Sequence, residues 1–132
     1  MPIFDSIGIA QSGVAVYRKW LDAVSDNIAN MNNVTSTSAA AYQQTSIIAT
    51  AMDNGQGVQV AGVAKGSAEG RLVYDPTHPL ADAEGYVRMP DVDLGQQMGQ
   101  LIMAQRGYQA NLSVVDRARE AYQAALMLGR NS

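Results

Sequence analysis

The only histidine of the chain, His78, stands close in sequence to three carboxylates, Asp75, Asp82 and Glu84. Imidazole and carboxylate together make hydrolytic metal centres or general acid–base pairs. A metal, however, needs at least three ligands converging, with hydrogen-bonded support behind them. Asp75-Pro76-Thr77-His78-Pro79 is also a run of residues that start and stiffen turns, and the turn is the better reading. Nucleophilic catalysis has less to work with. There is no cysteine, no Gly-x-Ser-x-Gly, and no base and orienting partner in reach of His78. Gly55-x-Gly57 and Gly66-x-x-x-Gly70 lack the Lys-Ser/Thr of a phosphate loop and open no helix, so they read as turn glycines. Met98, Met103 and Met127 read as core or interface filler. The expectation is a protein with no catalytic residues, no cofactor and no bound metal.

The elements that position these residues are dominated by the two ends. Ile7, Ala10, Val14, Tyr17, Leu21, Val24, Ile28 and Met31 alternate spacings of three and four, and Leu94, Leu101, Tyr108, Val115 and Tyr122 recur every seven. Ala104, Ala118 and Ala125 fill the intermediate positions of the second repeat. Two helices with such seams can bury them against each other or against other copies. In the first helix, read over residues 3–31, Ile9, Val16, Trp20 and Ala23 broaden the apolar face well beyond a two-stranded seam. Gly8 and Gly13 weaken its first turns by ~1 kcal/mol each relative to alanine, so the helix is expected to be incomplete in the free monomer. Four asparagines, Asn27, Asn30, Asn32 and Asn33, mark its end, since asparagine favours helix termini.

Between the helices the pattern changes. Residues 34–57 are small and polar, an extended or mobile connector with one short strand around Ser46–Ala51; Ala39–Ala41 is the place for a helical turn, if one forms. Val58, Val60 and Val63 alternate as in a strand, and Arg71–Tyr74 and Tyr86–Met89 are two further strands separated by turn residues. Pro90 stops the sheet. Asp91 or Asp93 can cap a helix running from about Val92 to Leu128, with Gly129 as its C-cap. The expected fold is therefore mainly α with a small β insert: an N-terminal helix in 1–33, a connector in 34–57, a β-rich insert in 58–90 and a C-terminal helix in 91–132, the helices paired as a coiled-coil-like inner domain.

Composition points to assembly. The chain is 47% hydrophobic but only 6% aromatic, and much of the apolar fraction is alanine, which buries little area per residue. Of nine cations and twelve anions, ten residues lie between Asp53 and Asp93, which leaves the helices charge-poor and suited to close packing. A net charge of −3 offers no basic footprint for nucleic acid. No stretch approaches the ~20 apolar residues of a membrane span. The N-terminus does not read as a cleaved leader, because no basic residue precedes Arg18 and polar residues interrupt every apolar run.

Three segments carry a family resemblance. Ser25-Asp26-Asn27-Ile28-Ala29-Asn30 is similar to a motif shared by bacterial flagellar rod and hook proteins, and Arg106-Gly-Tyr-Gln-Ala-Asn111 to the Arg-x-Tyr-x-Ala-Asn motif of their C-terminal helices. The block from Arg71 through His78-Pro79 and Glu84-Gly85-Tyr86-Val87 to Asp93 resembles the signature of the proximal-rod protein C family. The chain departs from that pattern in its serine- and alanine-rich Val34–Ala41, in Gln43-Gln44 after Tyr42, and in Trp20. The resemblance implies a non-enzymatic subunit of the flagellar rod, exported by the type III apparatus and polymerising in the periplasm. Its implied partners are other proximal and distal rod subunits and the adapter protein at the export gate. Tyr17, Leu21, Val24, Asn27, Ile28, Asn30, Leu101, Tyr108, Asn111, Val115 and Tyr122 are then the candidate subunit-interface residues, with Asn27 favoured for a hydrogen bond between subunits. A secreted coiled-coil adhesin or translocator-like protein is the alternative, and would not need a folded Tyr74–Pro90.

Overall fold

In a computed structural model, which describes residues 2–131, two long helices flank a pair of two-stranded antiparallel sheets. Helix α1 runs unbroken over Pro2–Asn30 and α2 over Leu94–Arg130. They lie antiparallel, as a ladder of contacts shows. The rings of Phe4 and Tyr122 meet edge to face at 5.3 Å, Gly13 faces Asn111, Tyr17 covers Gly107, Trp20 Nε1 reaches Gln100 Oε1 at 3.4 Å, and Asn27 meets Gln97. Each step up α1 is a step down α2. The glycines are what allow the approach. A Cβ at Gly13 would stand 2.9 Å from the Asn111 carboxamide, and one at Gly107 would overlap the Tyr17 ring. Gly13 thus weakens α1 locally and repays it in packing, and the helix is complete.

The breadth of the apolar face on α1 has a second cause besides α2. Strands β1 (Thr45–Ala51) and β2 (Val58–Lys65) form a hairpin that lies along α1, with a bulge between Ile48 and Ala49. Val58 N–H donates to Ser12 Oγ at 3.0 Å, and that hydroxyl donates to Ile9 O at 2.6 Å. Val16 and Ala23, which broadened the sequence pattern, are buried. In the loop joining the strands, Asn54, Gly55 and Gly57 have positive φ, as a tight return between strands demands.

Strands β3 (Arg71–Tyr74) and β4 (Tyr86–Met89) pair in register from Arg71↔Met89 to Tyr74↔Tyr86. The connector does not form a helix at Ala39–Ala41. It is extended and tied down: Thr35 exchanges both backbone hydrogen bonds with Arg88, Ala41 N–H donates to Ala68 O, and the Arg88 guanidinium donates to Thr37 O and Glu69 O. Gly70, at φ +58°, passes so close to Met89 O that a side chain would collide with it. Asp93 caps α2 by accepting from Gln96 N–H at 2.6 Å. Gly129, expected as the C-cap, lies inside the helix, whose end is Arg130, with Asn131 as the cap residue. Leucines and a methionine around it keep the helical propensity high enough to carry one glycine.

The turn block between β3 and β4 is held by its own side chains. Asp75 Oδ1 accepts from Thr77 Oγ1, His78 Nδ1 accepts from Leu80 N–H, and Asp82 Oδ1 accepts from Glu84 N–H and Tyr86 N–H. The Tyr86 amide above all holds the Asp82 carboxyl below its usual pKa; desolvation opposes it, and the Thr37 hydroxyl and the Glu84 and Gly85 amides add to the lowering. A carboxylate with a lowered folded-state pKa stabilises the fold above its unfolded value and stops doing so as pH falls through the lowered one. The Glu84 and Tyr86 amides should therefore exchange faster below about pH 4 than at pH 6 after correction for intrinsic rates. In Asp82→Asn that acid-dependent step should be absent; a step of equal size in the variant would show that Asp82 does not hold the turn.

Candidate assembly interface and its polar clamp

Asn27 and Gln97 are fully buried, the only polar side chains among the described residues that are. The Asn27 carboxamide pairs with the peptide of Thr45 as a neighbouring strand would: Nδ2 donates to Thr45 O at 2.8 Å and Oδ1 accepts from Thr45 N–H at 2.8 Å. Nδ2 also donates to Gln97 Oε1 at 2.9 Å, and Oδ1 accepts from Tyr42 Oη–H at 3.1 Å. Both donors and both acceptors of the side chain are thus engaged inside the chain. This clamp fastens α1 to the connector, to β1 and to α2. The expectation that Asn27 reaches across to a neighbouring subunit meets a physical obstacle, since it has no capacity left to do so.

The other candidates fall into two groups. Val24 and Val115 are buried, and Tyr17, Asn111 and Tyr122 form rungs of the helix ladder, Asn111 also donating to Gly107 O. Leu21, Ile28, Leu101 and Tyr108 are half-buried, and Asn30 donates to Asp26 O in the last turn of α1. The sequence repeat extends further than the covered seam. Leu94 and Ala125 belong to the repeat but are exposed, because the ladder runs only from Gln97 to Tyr122.

Apolar residues that the seam did not single out are exposed as well. Along α2, Met98, Ile102, Met103, Leu112 and Val114 are exposed, and so are Leu126, Met127 and Leu128 at its end. The hairpin adds Ile48, Val60 and Val63. A compact monomer of 14.0 kDa exposes about 6,700 Å², whereas this chain exposes 8700 Å². The excess, roughly 2,000 Å², is the size of a substantial protein–protein interface. No helix among the described residues is long and apolar enough to cross a membrane, and no three His, Cys, Asp or Glu side chains converge there on a common point.

Comparison with known proteins gives this surface a context. Residues 83–128, the β4 strand and most of α2, match the family model described as the C-terminal part of the flagellar basal body rod FlgEFG proteins. The flagellar basal-body rod protein FlgC of Salmonella typhimurium is 36% identical over 98% of this chain and 100% of its own length. Those of Borreliella burgdorferi, 32% identical, and Bacillus subtilis, 30% identical, are matched over 97% and 98% of this chain. The chain belongs to the FlgC family of flagellar basal-body rod proteins. The adhesin or translocator-like alternative loses its support, and the Tyr74–Pro90 block that it did not need is folded. In this FlgC-family chain the asparagine motif Ser25–Asn30 carries the clamp, and Arg106–Asn111 carries the closest helix approach.

Removing the clamp leaves the Thr45 peptide, the Tyr42 hydroxyl and Gln97 without partners in a buried site, at roughly 1–3 kcal/mol for each group left unsatisfied. Asn27→Ala should lower the urea unfolding free energy of the purified chain by at least about 2 kcal/mol. Asn27→Asp, which cannot donate and brings a charge, should cost as much or more. A loss below about 0.5 kcal/mol in both would show that the carboxamide does not hold the fold together.

Proposed function

We infer that this chain is a structural subunit of the proximal rod of the bacterial flagellum, assembling through its helical ends into the shaft that passes torque outward. The observation that carries the reading is the unburied apolar surface of α2 on a chain whose relatives are basal-body rod proteins. A rod subunit needs the opposite of an enzyme: no pocket that must stay open, and apolar faces that only neighbours cover. Interior burial is thin here because the remaining burial belongs to the assembly.

On this reading the subunit is delivered by the flagellar type III export apparatus and polymerises in the periplasm. Sibling proximal-rod subunits lie beside it, the adapter protein at the export gate below, and the distal rod above. Leu21, Ile28, Leu101 and Tyr108, half-buried within the chain, retain surface for those neighbours. No cofactor, metal or nucleic acid enters this role.

Leu21→Asp places an unpaired charge in the helix contact and should abolish swimming in soft agar by a strain that relies on this chain. Asp22→Ala, on the polar face one residue away, should swim as wild type. Swimming by the Leu21→Asp strain would contradict assembly through this face.

A further inference from the structure

The helices are unequal. Their ladder ends where Phe4 meets Tyr122, and α2 continues past this last rung for two turns, ~12 Å from residue 123 to Arg130. That overhang carries Leu126, Met127 and Leu128, which are 55%, 65% and 75% exposed. Elsewhere on the molecule, α1, the hairpin and Asn111 enclose an apolar groove of ≈ 350 Å³ lined by Ile9, Val16, Tyr17, Trp20, Ala49 and Val58. Tyr17 and Trp20 stack in it at 5.9 Å, and large aromatic side chains of this kind anchor protein interfaces. The overhang of the same molecule cannot fill the groove, because a straight α2 leads away from Ile9 beyond Pro2.

We propose that the α2 overhang of one copy of this chain seats in the α1–hairpin groove of a second copy. Three observations select a second copy as the occupant. Peg and socket are both apolar and both present on this chain. The overhang ends in a cation, Arg130, and the uncharged groove shares Ile9 with an adjoining cleft whose one charged residue is an anion, Asp5. The exposed area in excess of a compact monomer, roughly 2,000 Å², is enough to be divided between one peg and one socket per copy. A peg and a socket on different faces make a head-to-tail contact, which propagates a ring or helix and does not close as a dimer. The proposal rests on the rod-subunit reading and specifies how neighbouring copies touch.

The chain has no cysteine, so introduced thiols have no competitors. Met127→Cys and Ala49→Cys are combined in one chain, and isolated basal bodies are oxidised and run without reductant. Disulfides form only where Cα atoms come within about 7 Å, so a ladder at multiples of 14.0 kDa is expected. Met127→Cys combined with Ser67→Cys, outside the groove, should give at least tenfold less. Rods that contain the Met127/Ala49 variant and turn normally, yet give no ladder, would overturn the proposal and leave the rod reading standing. Basal bodies in which the wild-type chain is absent would overturn the rod reading and the proposal with it. A second variant avoids dependence on thiol chemistry. Leu126→Asp with Met127→Asp alters only exposed positions, so the monomer should unfold at an unchanged midpoint while swimming is lost; unimpaired swimming would overturn the proposal.

Discussion

The Asn27 carboxamide is hydrogen-bonded to both sides of one peptide, that of Thr45, and to Tyr42 and Gln97 as well. Three stretches distant in sequence meet at that side chain: α1, the connector with the start of β1, and α2. Because the Asn27 carboxamide has every donor and acceptor met here and would leave them unmet if shifted, it favours one register of α1 against the connector, β1 and α2. Apolar seams alone would not achieve this. Alanine, valine and leucine at heptad positions can slide by one repeat with little penalty, and a polar residue in the seam is what forbids the slip. The ladder above the clamp follows from it: once Asn27 is opposite Gln97, Tyr17 falls on Gly107, Gly13 on Asn111 and Phe4 on Tyr122.

A register fixed at one end also determines what stays uncovered at the other. With the clamp near the C-terminal end of the 29-residue α1, the 37-residue α2 must overhang the N-terminal end. The hairpin packs along Val16 on one flank of α1, but Ile102, Met103 and Val114 on α2 stay about half exposed. A monomer with this much apolar surface stands at the limit of what its own core can support. Membership of the FlgC family of basal-body rod proteins explains why that is tolerable. Folding and assembly divide the burial between them, and the subunit is most stable where its neighbours are.

The sequence made the helices, all four strands and a cap at Asp91 or Asp93 legible because each rests on a local signal: a period of seven, an alternation, a turn residue. It made the family legible through motifs. The role of Asn27 was not, although a signal was there. The intermediate positions of the α2 repeat run Gln97, Ala104, Asn111, Ala118, Ala125, so polar residues stand at two seam positions. A polar residue in a seam needs a partner, and Gln97 and Asn111 point to polar or small residues on α1, which Asn27 and Gly13 supply. The connector is extended, one of the two readings its composition allowed, but its ties were not legible, because Thr35 to Arg88 and Ala41 to Ala68 are backbone hydrogen bonds that no side-chain pattern records. Gly129 is not the cap because α2 runs one residue past it, to Arg130, before ending at Asn131.

The central claim, that the surface left bare by the helix register is covered only in the rod, can be measured without altering the chain. Met98, Met103 and Met127 are exposed on α2, and methionine oxidation reports access of peroxide to the thioether. Their oxidation rates would be compared, residue by residue and by mass spectrometry, in the dilute purified chain and in intact basal bodies. The account predicts rapid oxidation of all three in the free chain and at least tenfold slowing of Met103 and Met127 in the rod. Equal rates in the two states would contradict it.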